Sequence, residues 1–284
     1  MSNLILICPR LNVWRSVVVL VTYAALITGC GGGATTAGVG TGGTGSVVVA
    51  GLVADGYLAN ASVFLDKNGN YQLDPGEPFT TTDANGAYKL NIDPADIGKY
   101  PIVALVMKGV AIDKDTKQVV VNSYVLSMPK ESVSNMNSNN FISPVTSQVR
   151  ELMETGLFAS TQLAADALRT KMGLPVGTDM MSDYIATNNT VMHTGAQNIA
   201  TLMGNQMGQI FITNGSTTTV DVNRYRTVMG MIFSNMSTVM GANNQTGMTN
   251  LTNTMTLTLS GMPLTPVGQP YKNMSTTFRG MMGK

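Results

Sequence analysis

The chain of 284 residues is poor in the side chains that carry most enzyme chemistry. It has a single histidine, His193, and two cysteines, Cys8 and Cys30. One histidine excludes a two-histidine metal motif and the zinc-protease signature, and no Gly-x-Ser-x-Gly nucleophile elbow is present. The glycine runs lack the lysine of a phosphate-binding loop. We therefore expect no catalytic residues and no enzymatic activity.

Charged side chains are scarce as well, at 12% of the sequence, and their signs almost cancel. There are 17 lysines and arginines against 16 aspartates and glutamates. Nucleic-acid binding requires basic residues that cluster on one face of a domain. The charge balance therefore argues against nucleic acid as a partner.

The first thirty residues have the pattern of an export signal. Two arginines precede an apolar run from Ser16 to Thr28, which is too short to span a bilayer comfortably and ends in small residues. The segment Ile27-Thr28-Gly29-Cys30 resembles the lipobox of bacterial lipoproteins. This resemblance implies that residues 1–29 are a removed signal peptide and that acylated Cys30 attaches the protein to a membrane. The alternative is an uncleaved membrane anchor.

Cleavage before Cys30 changes the residue inventory. It removes two arginines and leaves 15 basic against 16 acidic residues, a net charge of −1. The one remaining cysteine is consumed by lipid, so we expect no disulfide and no thiolate site. Residues 30–46 are rich in Gly and Thr and predict a flexible tether. The residue after Cys30 is Gly31, whereas an Asp at this place resembles an inner-membrane retention signal. The absence of that Asp favours the outer membrane or the cell surface.

The rest of the sequence predicts a multidomain α+β protein. Residues 47–128 contain short apolar segments separated by turn residues, which is typical of a small β-sandwich. The Ser- and Asn-rich stretch 129–141 predicts a linker. Residues 142–245 show helix caps and apolar residues at three- and four-residue spacing, so we expect a mostly helical, Met-rich domain.

The caps and breakers also predict where individual helices lie. Ser143-Pro144 begins a helix that runs to about Glu154, and Ser160 caps another that ends at Gly173. A longer helix is expected from about Thr190 to Phe211, and a fourth begins near Asp221.

The segment 246–284, rich in Thr, Met and Pro, is less regular. Met255, Leu257 and Leu259 alternate with threonines, which favours a strand over a helix. Three prolines make the remainder of this segment loop-like.

The strongest local signal is the twelve-residue stretch Asp66–Glu77. Oxygen-bearing side chains occupy its positions one, three, five, nine and twelve, and the seventh residue offers a backbone carbonyl. This is the ligand spacing of an EF-hand calcium loop, in which alternate residues of a tight loop direct oxygens at the ion. The expected Ca²⁺ ligands are Asp66, Asn68, Asn70, Gln72, Asp74 and Glu77.

Two features depart from the EF-hand pattern. The sixth position normally holds Gly, which makes the sharp turn, and here it is Tyr71. A tyrosine at positive φ costs about 1 kcal/mol or more. Strand-like Val63-Phe64-Leu65 precedes the loop and Pro78 follows it, so we expect a calcium loop between strands. The alternative is a long turn that holds no ion.

Three segments of the β region, 51–58, 61–66 and 83–88, carry a family resemblance. They are similar to carboxypeptidase-regulatory-like domains and to the B-domains of SD-repeat proteins. These families are prealbumin-like β-sandwiches of bacterial surface proteins, and the B-domains bind calcium. The resemblance covers about 47–128 and implies adhesion, scaffolding or spacing at a cell surface.

Methionine is abundant, with 21 residues. Thioether pairs such as Met180-Met181 suit Cu(I), whereas the helical spacing of Met192, Met203 and Met207 favours core packing. A Met-rich groove for a partner helix is a further possibility. The main hypothesis is a lipid-anchored envelope protein with a structural, adhesive or interaction role and a Ca²⁺-stabilised β-domain. The alternative is a copper- or partner-binding envelope protein that uses the Met-rich helices.

Overall fold

The computed structural model describes residues 45–135, 140–214, 217–241 and 244–265. The predicted signal peptide, Cys30 and all but the last two residues of the predicted tether lie outside this description, as does the segment after residue 265. The described chain is α+β, with several small sheets in its N-terminal part and helices in its C-terminal part.

Ten strands build the N-terminal sheets. They are β1 (Val47–Val53), β2 (Leu58–Ala59), β3 (Ser62–Leu65), β4 (Phe79–Thr81), β5 (Ala87–Ile92), β6 (Ile102–Val106), β7 (Ile112–Asp113), β8 (Gln118–Val119), β9 (Tyr124–Met128) and β10 (Asn140–Ile142). A four-stranded sheet has the order β4-β3-β6-β9, a three-stranded sheet has the order β10-β1-β5, and β2-β7-β8 form a smaller sheet. β5 alternates with period two, because Tyr88, Leu90 and Ile92 are buried while Lys89 and Asn91 are exposed.

The predicted linker 129–141 is partly regular structure. A 3₁₀ turn spans Lys130–Ser132, and Asn140 begins β10, which pairs in parallel with β1. The side-chain amide of Asn140 is buried and donates to the carbonyls of Ala50 and Ser134, at 2.9 and 2.8 Å. Asn140 and Phe141, at the C-terminal end of the predicted linker, therefore lie in a strand, where hydrogen bonds satisfy the buried asparagine.

Six helices and one hairpin follow in the residues that the structure describes. They are α1 (Pro144–Glu154), α2 (Thr161–Lys171), α3 (Thr190–Ile210), the strands β11 (Phe211–Asn214) and β12 (Thr217–Val220), α4 (Val222–Ser234), α5 (Met236–Met240) and α6 (Gln245–Ser260). The predicted helix starts are confirmed, since Ser143, Ser160 and Asp221 each accept a hydrogen bond from a backbone N–H in the first turn. Across the described ranges, no helix is both long enough and apolar enough to traverse a bilayer.

Helix α1 joins the sheets to the other helices. It contacts β9 and β10 of the sheets and the helices α2, α3 and α4. The hydroxyls of Thr146 and Ser147 both donate to the carbonyl of Ser127 in β9. Buried residues of the sheets and of the helices form one continuous hydrophobic cluster. The expected boundary near residue 142 therefore falls within a shared core.

Helix α6 overturns the predicted strand around residues 255–259. Leu251, Met255 and Leu259 are buried at four-residue spacing on one face of the helix, and Leu257 is 74% exposed. Threonine hydroxyls along the helix donate to carbonyls four residues earlier, as Thr256 does to Thr252. Alternation with threonine is thus also compatible with a helix, because the apolar residues repeat at i and i+4.

Paired truncations test this helix. Leu259→Ala should lower the free energy of unfolding by about 2–5 kcal/mol, whereas Leu257→Ala should change it by less than about 0.5 kcal/mol. A strand would place both side chains on the same face. Equal losses in urea denaturation would therefore contradict the helix.

Candidate functional site

The predicted calcium loop connects two neighbouring strands of the four-stranded sheet. β3 ends at Leu65, β4 begins at Phe79, and the two strands are antiparallel partners. The backbone N–H of Leu65 donates to the carbonyl of Pro78 at 3.0 Å and closes the base of the loop. The loop therefore lies between strands, as its flanking residues predict.

The first predicted ligand, Asp66, is fully buried, and both of its oxygens accept hydrogen bonds. Oδ1 accepts from the backbone N–H groups of Gly69 and Asn70, at 2.8 and 3.1 Å. Oδ2 accepts from the backbone of Tyr71 at 3.2 Å and from Nη2 of Arg150 at 3.1 Å. A buried arginine of α1 thus neutralises the residue that the sequence assigns to a cation.

Three further predicted ligands lie together at the more exposed side of the loop. The side-chain amides of Asn68 and Asn70 both donate to Oδ2 of Asp74, each at 2.7 Å. Oδ1 of Asn70 accepts from the backbone N–H of Gln72 at 2.9 Å, which orders the middle of the loop. The structure therefore brings together the residues at positions three, five and nine.

Glu77 closes the loop from its last position. Oε1 accepts from the backbone of Lys67 at 2.7 Å, and Oε2 accepts from the backbone of Asp74 at 3.0 Å. Burial raises the pKa of Glu77, the carboxylates of Asp66 and Asp74 add to the rise, and the two backbone hydrogen bonds oppose it. The loop therefore holds negative charges that repel one another.

The contacts of Tyr71 explain why the sixth position of the loop holds a tyrosine and not the usual glycine. Its φ of 61° is the left-handed turn that this position of a calcium loop requires. Its ring is fully buried, with the guanidinium of Arg150 4.1 Å from the ring centroid and the ring of Tyr225 at 4.7 Å. Its hydroxyl donates to Glu151. These aromatic and cation–π contacts offset the cost of the positive φ.

Beneath the loop, alternating charges continue along α1 and into α4. Glu151 is buried and lies 3.5 Å from Nε of Arg226, which also pairs with Glu154 at 3.2 Å. Burial raises the pKa of Glu151, whereas Arg226, Arg150 and the hydroxyl of Tyr71 lower it. The network joins the loop to two helices, and no sequence motif indicated its basic members, Arg150 and Arg226.

The donor set fits a hard cation in part. Carboxylate, amide and carbonyl oxygens are the ligands that Ca²⁺ prefers, and Asn68, Asn70, Asp74 and Glu77 supply such oxygens. Asp66 departs from the pattern because Arg150 already occupies it. Among the residues described, no group of three or more His, Cys, Asp and Glu side chains is arranged to hold a metal ion. A bound ion would therefore require the loop side chains to move inward.

His193 lies at a second cluster of charged residues, between the β7–β8 hairpin and α3. Its Nε2 is 2.9 Å from Oδ2 of Asp115, and its ring stacks on Tyr184 with centroids 5.6 Å apart. Gln197 of the same helix also donates to Asp115, at 3.3 Å. The histidine thus joins a helix to a hairpin, a contact that its sequence position did not reveal.

Asp55 belongs to the same cluster and is strongly perturbed. Its Oδ2 accepts from the hydroxyl of Tyr124 at 2.7 Å, and its buried Oδ1 has no hydrogen-bond partner among the described residues. Burial raises the pKa of Asp55 to about 7, the carboxylate of Asp113 adds to the rise, and the bond from Tyr124 opposes it. The fold therefore favours the protonated form of this side chain.

No protein-family model, curated protein or solved structure matches this chain. The resemblance to surface-protein β-domains therefore stays a prediction that rests on residues 51–58, 61–66 and 83–88.

The raised pKa of Asp55 predicts a pH dependence of stability. A carboxyl whose pKa is near 7 when folded and 3.8 when unfolded favours folding below pH 4 and loses that contribution as the pH rises to 7. Asp55→Asn should match the wild type at about pH 4 and exceed its free energy of unfolding by up to about 4 kcal/mol at pH 8. Urea denaturation across this range measures the difference. The exposed Asp83→Asn is the control, and parallel profiles for wild type and Asp55→Asn would contradict the prediction.

Proposed function

We propose that this protein is a lipid-anchored, non-catalytic protein of the bacterial cell envelope, with a structural or interaction role. In this proposal, a calcium ion at loop 66–77 stabilises the β region against the helices. The observation that carries the proposal is the loop itself, whose turn at Tyr71 has the conformation that a calcium loop requires and whose side chains are anchored to α1.

The charge of the loop supports a cation. Asp66, Asp74 and Glu77 contribute three carboxylates, and one arginine contacts the first of them. Burial raises the pKa of Glu77 and the nearby carboxylates of Asp66 and Asp74 add to the rise, so keeping Glu77 ionised in the loop carries an electrostatic cost. Ca²⁺ reduces that cost. The ion is held by the side chains of Asn68, Asn70, Asp74 and Glu77 and by the carbonyl of Gln72. Asp66 becomes a further ligand when Arg150 moves away from it. The ion supplies charge neutralisation and cross-linking of the loop.

We also propose that the three- and four-stranded sheets form a prealbumin-like β-sandwich. Support comes from their strand orders, β10-β1-β5 and β4-β3-β6-β9, and from the buried faces that both contribute to one core. Such a domain next to a tether suits adhesion, scaffolding or spacing. The outer membrane or the cell surface is the proposed location, on the grounds of the lipobox-like segment before Cys30 and of Gly31 after it.

The copper-binding alternative receives less support from the packing. Met192, Met203, Met207, Met229 and Met236 are almost completely buried in the hydrophobic core. Their thioethers fill space between helices, which is the ordinary role of methionine in a core.

A calcium titration tests the proposal. With a Kd on the order of 10⁻⁴–10⁻³ M, about 10 mM Ca²⁺ should raise the free energy of unfolding by about 1.4–2.7 kcal/mol. Asp74→Asn removes a charged ligand without disturbing the buried pair at Asp66, and it should abolish most of this gain. Calorimetry gives the affinity, and thermal melts in calcium and in chelator give the stability.

Glu131→Gln, which removes an exposed acid outside the loop, is the matched control and should keep the full calcium effect. Mg²⁺ should stabilise less, because it demands a stricter octahedral shell. If calcium produces no heat of binding and no change in the melting temperature, the calcium site is contradicted.

Metabolic labelling with a fatty acid tests the membrane anchor. The wild-type protein should incorporate acyl label and partition with membranes, and Cys30→Ser should lose both properties because the thiol that receives the lipid is gone. Cys8→Ser, which lies inside the predicted signal peptide, is the control and should remain labelled. Label retained by Cys30→Ser would exclude this anchor.

A further inference from the structure

The guanidinium of Arg150 and a bound cation would compete for the carboxylate of Asp66. The four hydrogen bonds to Asp66 occupy all four of its lone-pair directions. Three of these donors are backbone N–H groups that define the turn, and the fourth is Nη2 of Arg150. An ion that binds Asp66 must therefore displace or share the guanidinium, since displacing the backbone donors would unfold the turn.

Arg150 does not use all of its hydrogen-bond donors in its pair with Asp66, and a second carboxylate acts on its charge. Its Nε and Nη1 are buried without a hydrogen-bond partner among the described residues, so only part of its donor capacity is used. The carboxylate of Glu151, held by Tyr71 and Arg226, lies near enough to act on the charge of Arg150. Arg150 thus contacts Asp66 and is also attracted by the charge of Glu151, so weakening either interaction leaves the other to hold the guanidinium.

We propose that Arg150 is an internal counter-ion that competes with Ca²⁺ for Asp66 and thereby sets the calcium affinity of loop 66–77. This inference rests on the calcium function proposed above. Without calcium, Arg150 keeps the loop folded against α1. With calcium, the guanidinium shifts its interaction towards Glu151, so occupancy of the loop is coupled to the packing of α1 and α4.

The competition predicts opposite effects of two charge deletions. Arg150→Gln removes the competing cation and should tighten calcium binding by about tenfold or more, since a charge within 4–6 Å shifts proton affinity of a carboxyl by at least that factor. The same variant should be less stable than wild type in chelator. Glu151→Gln removes the charge that draws Arg150 away from Asp66. Arg150 then competes more strongly with calcium, so the variant should weaken calcium binding by about threefold or more.

Calorimetric Ca²⁺ titration of the wild type and both variants is the test, with Arg169→Gln as the control. Arg169 lies on α2 and pairs with Asp166, and no contact of the described residues joins it to the loop, so its loss should leave the Kd unchanged. Hydrogen exchange gives a second readout, in which calcium should alter protection of α1 in the wild type and much less in Arg150→Gln.

The outcomes separate the two proposals. A wild type that binds no calcium overturns the calcium function, and this inference with it. A wild type that binds calcium while Arg150→Gln and Glu151→Gln do not shift in opposite directions overturns the inference alone. If Arg150→Gln does not fold at any calcium concentration, Glu151→Gln decides, and an unchanged or tighter Kd overturns the inference.

Discussion

The pairing of Asp66 with Arg150 is the constraint on which the rest of the site depends. Both side chains are almost completely removed from solvent, and a buried charge that loses its partner costs about 3–5 kcal/mol. The pair determines where α1 sits against the loop. Tyr71 then stacks on the guanidinium, and Glu151 and Arg226 continue the alternation of charge into α4. The loop is therefore part of the interior on one side and a polar surface on the other.

Much of the local structure was predictable from the sequence, because short-range rules decide it. The caps at Ser143, Ser160 and Asp221 mark their helices, and alternation marks β5. A loop between strands was expected from the residues that flank 66–77, and Tyr71 at its sixth position has a positive φ. Each of these predictions needs only residues that are close in sequence.

A different cause underlies what was missed at α1 and at Asn140, which is burial of polar residues by partners distant in sequence. At the start of α1, the N-cap Ser143 and the helical residues Thr146, Ser147 and Arg150 repeat at three- and four-residue spacing, a polar pattern that ordinarily indicates a solvated face. The structure buries that face, because the carbonyl of Ser127 and the carboxylate of Asp66 satisfy it. Asn140 was misjudged for the same reason, since its side-chain amide bonds to Ala50, 90 residues away. The threonines of α6 were misjudged for a local reason, because their hydroxyls donate to carbonyls four residues earlier and are compatible with a helix.

The position of β1 has a mechanical consequence. This strand, Val47–Val53, begins the described fold and is held between β5 and β10, antiparallel to one and parallel to the other. Tension on the chain before Val47 acts along the strand, whereas the antiparallel hydrogen bonds run across it. They must then shear together instead of peeling apart one after another. Because β10 precedes α1 directly, a pull at the start of the fold is transmitted through a neighbouring strand to the helices.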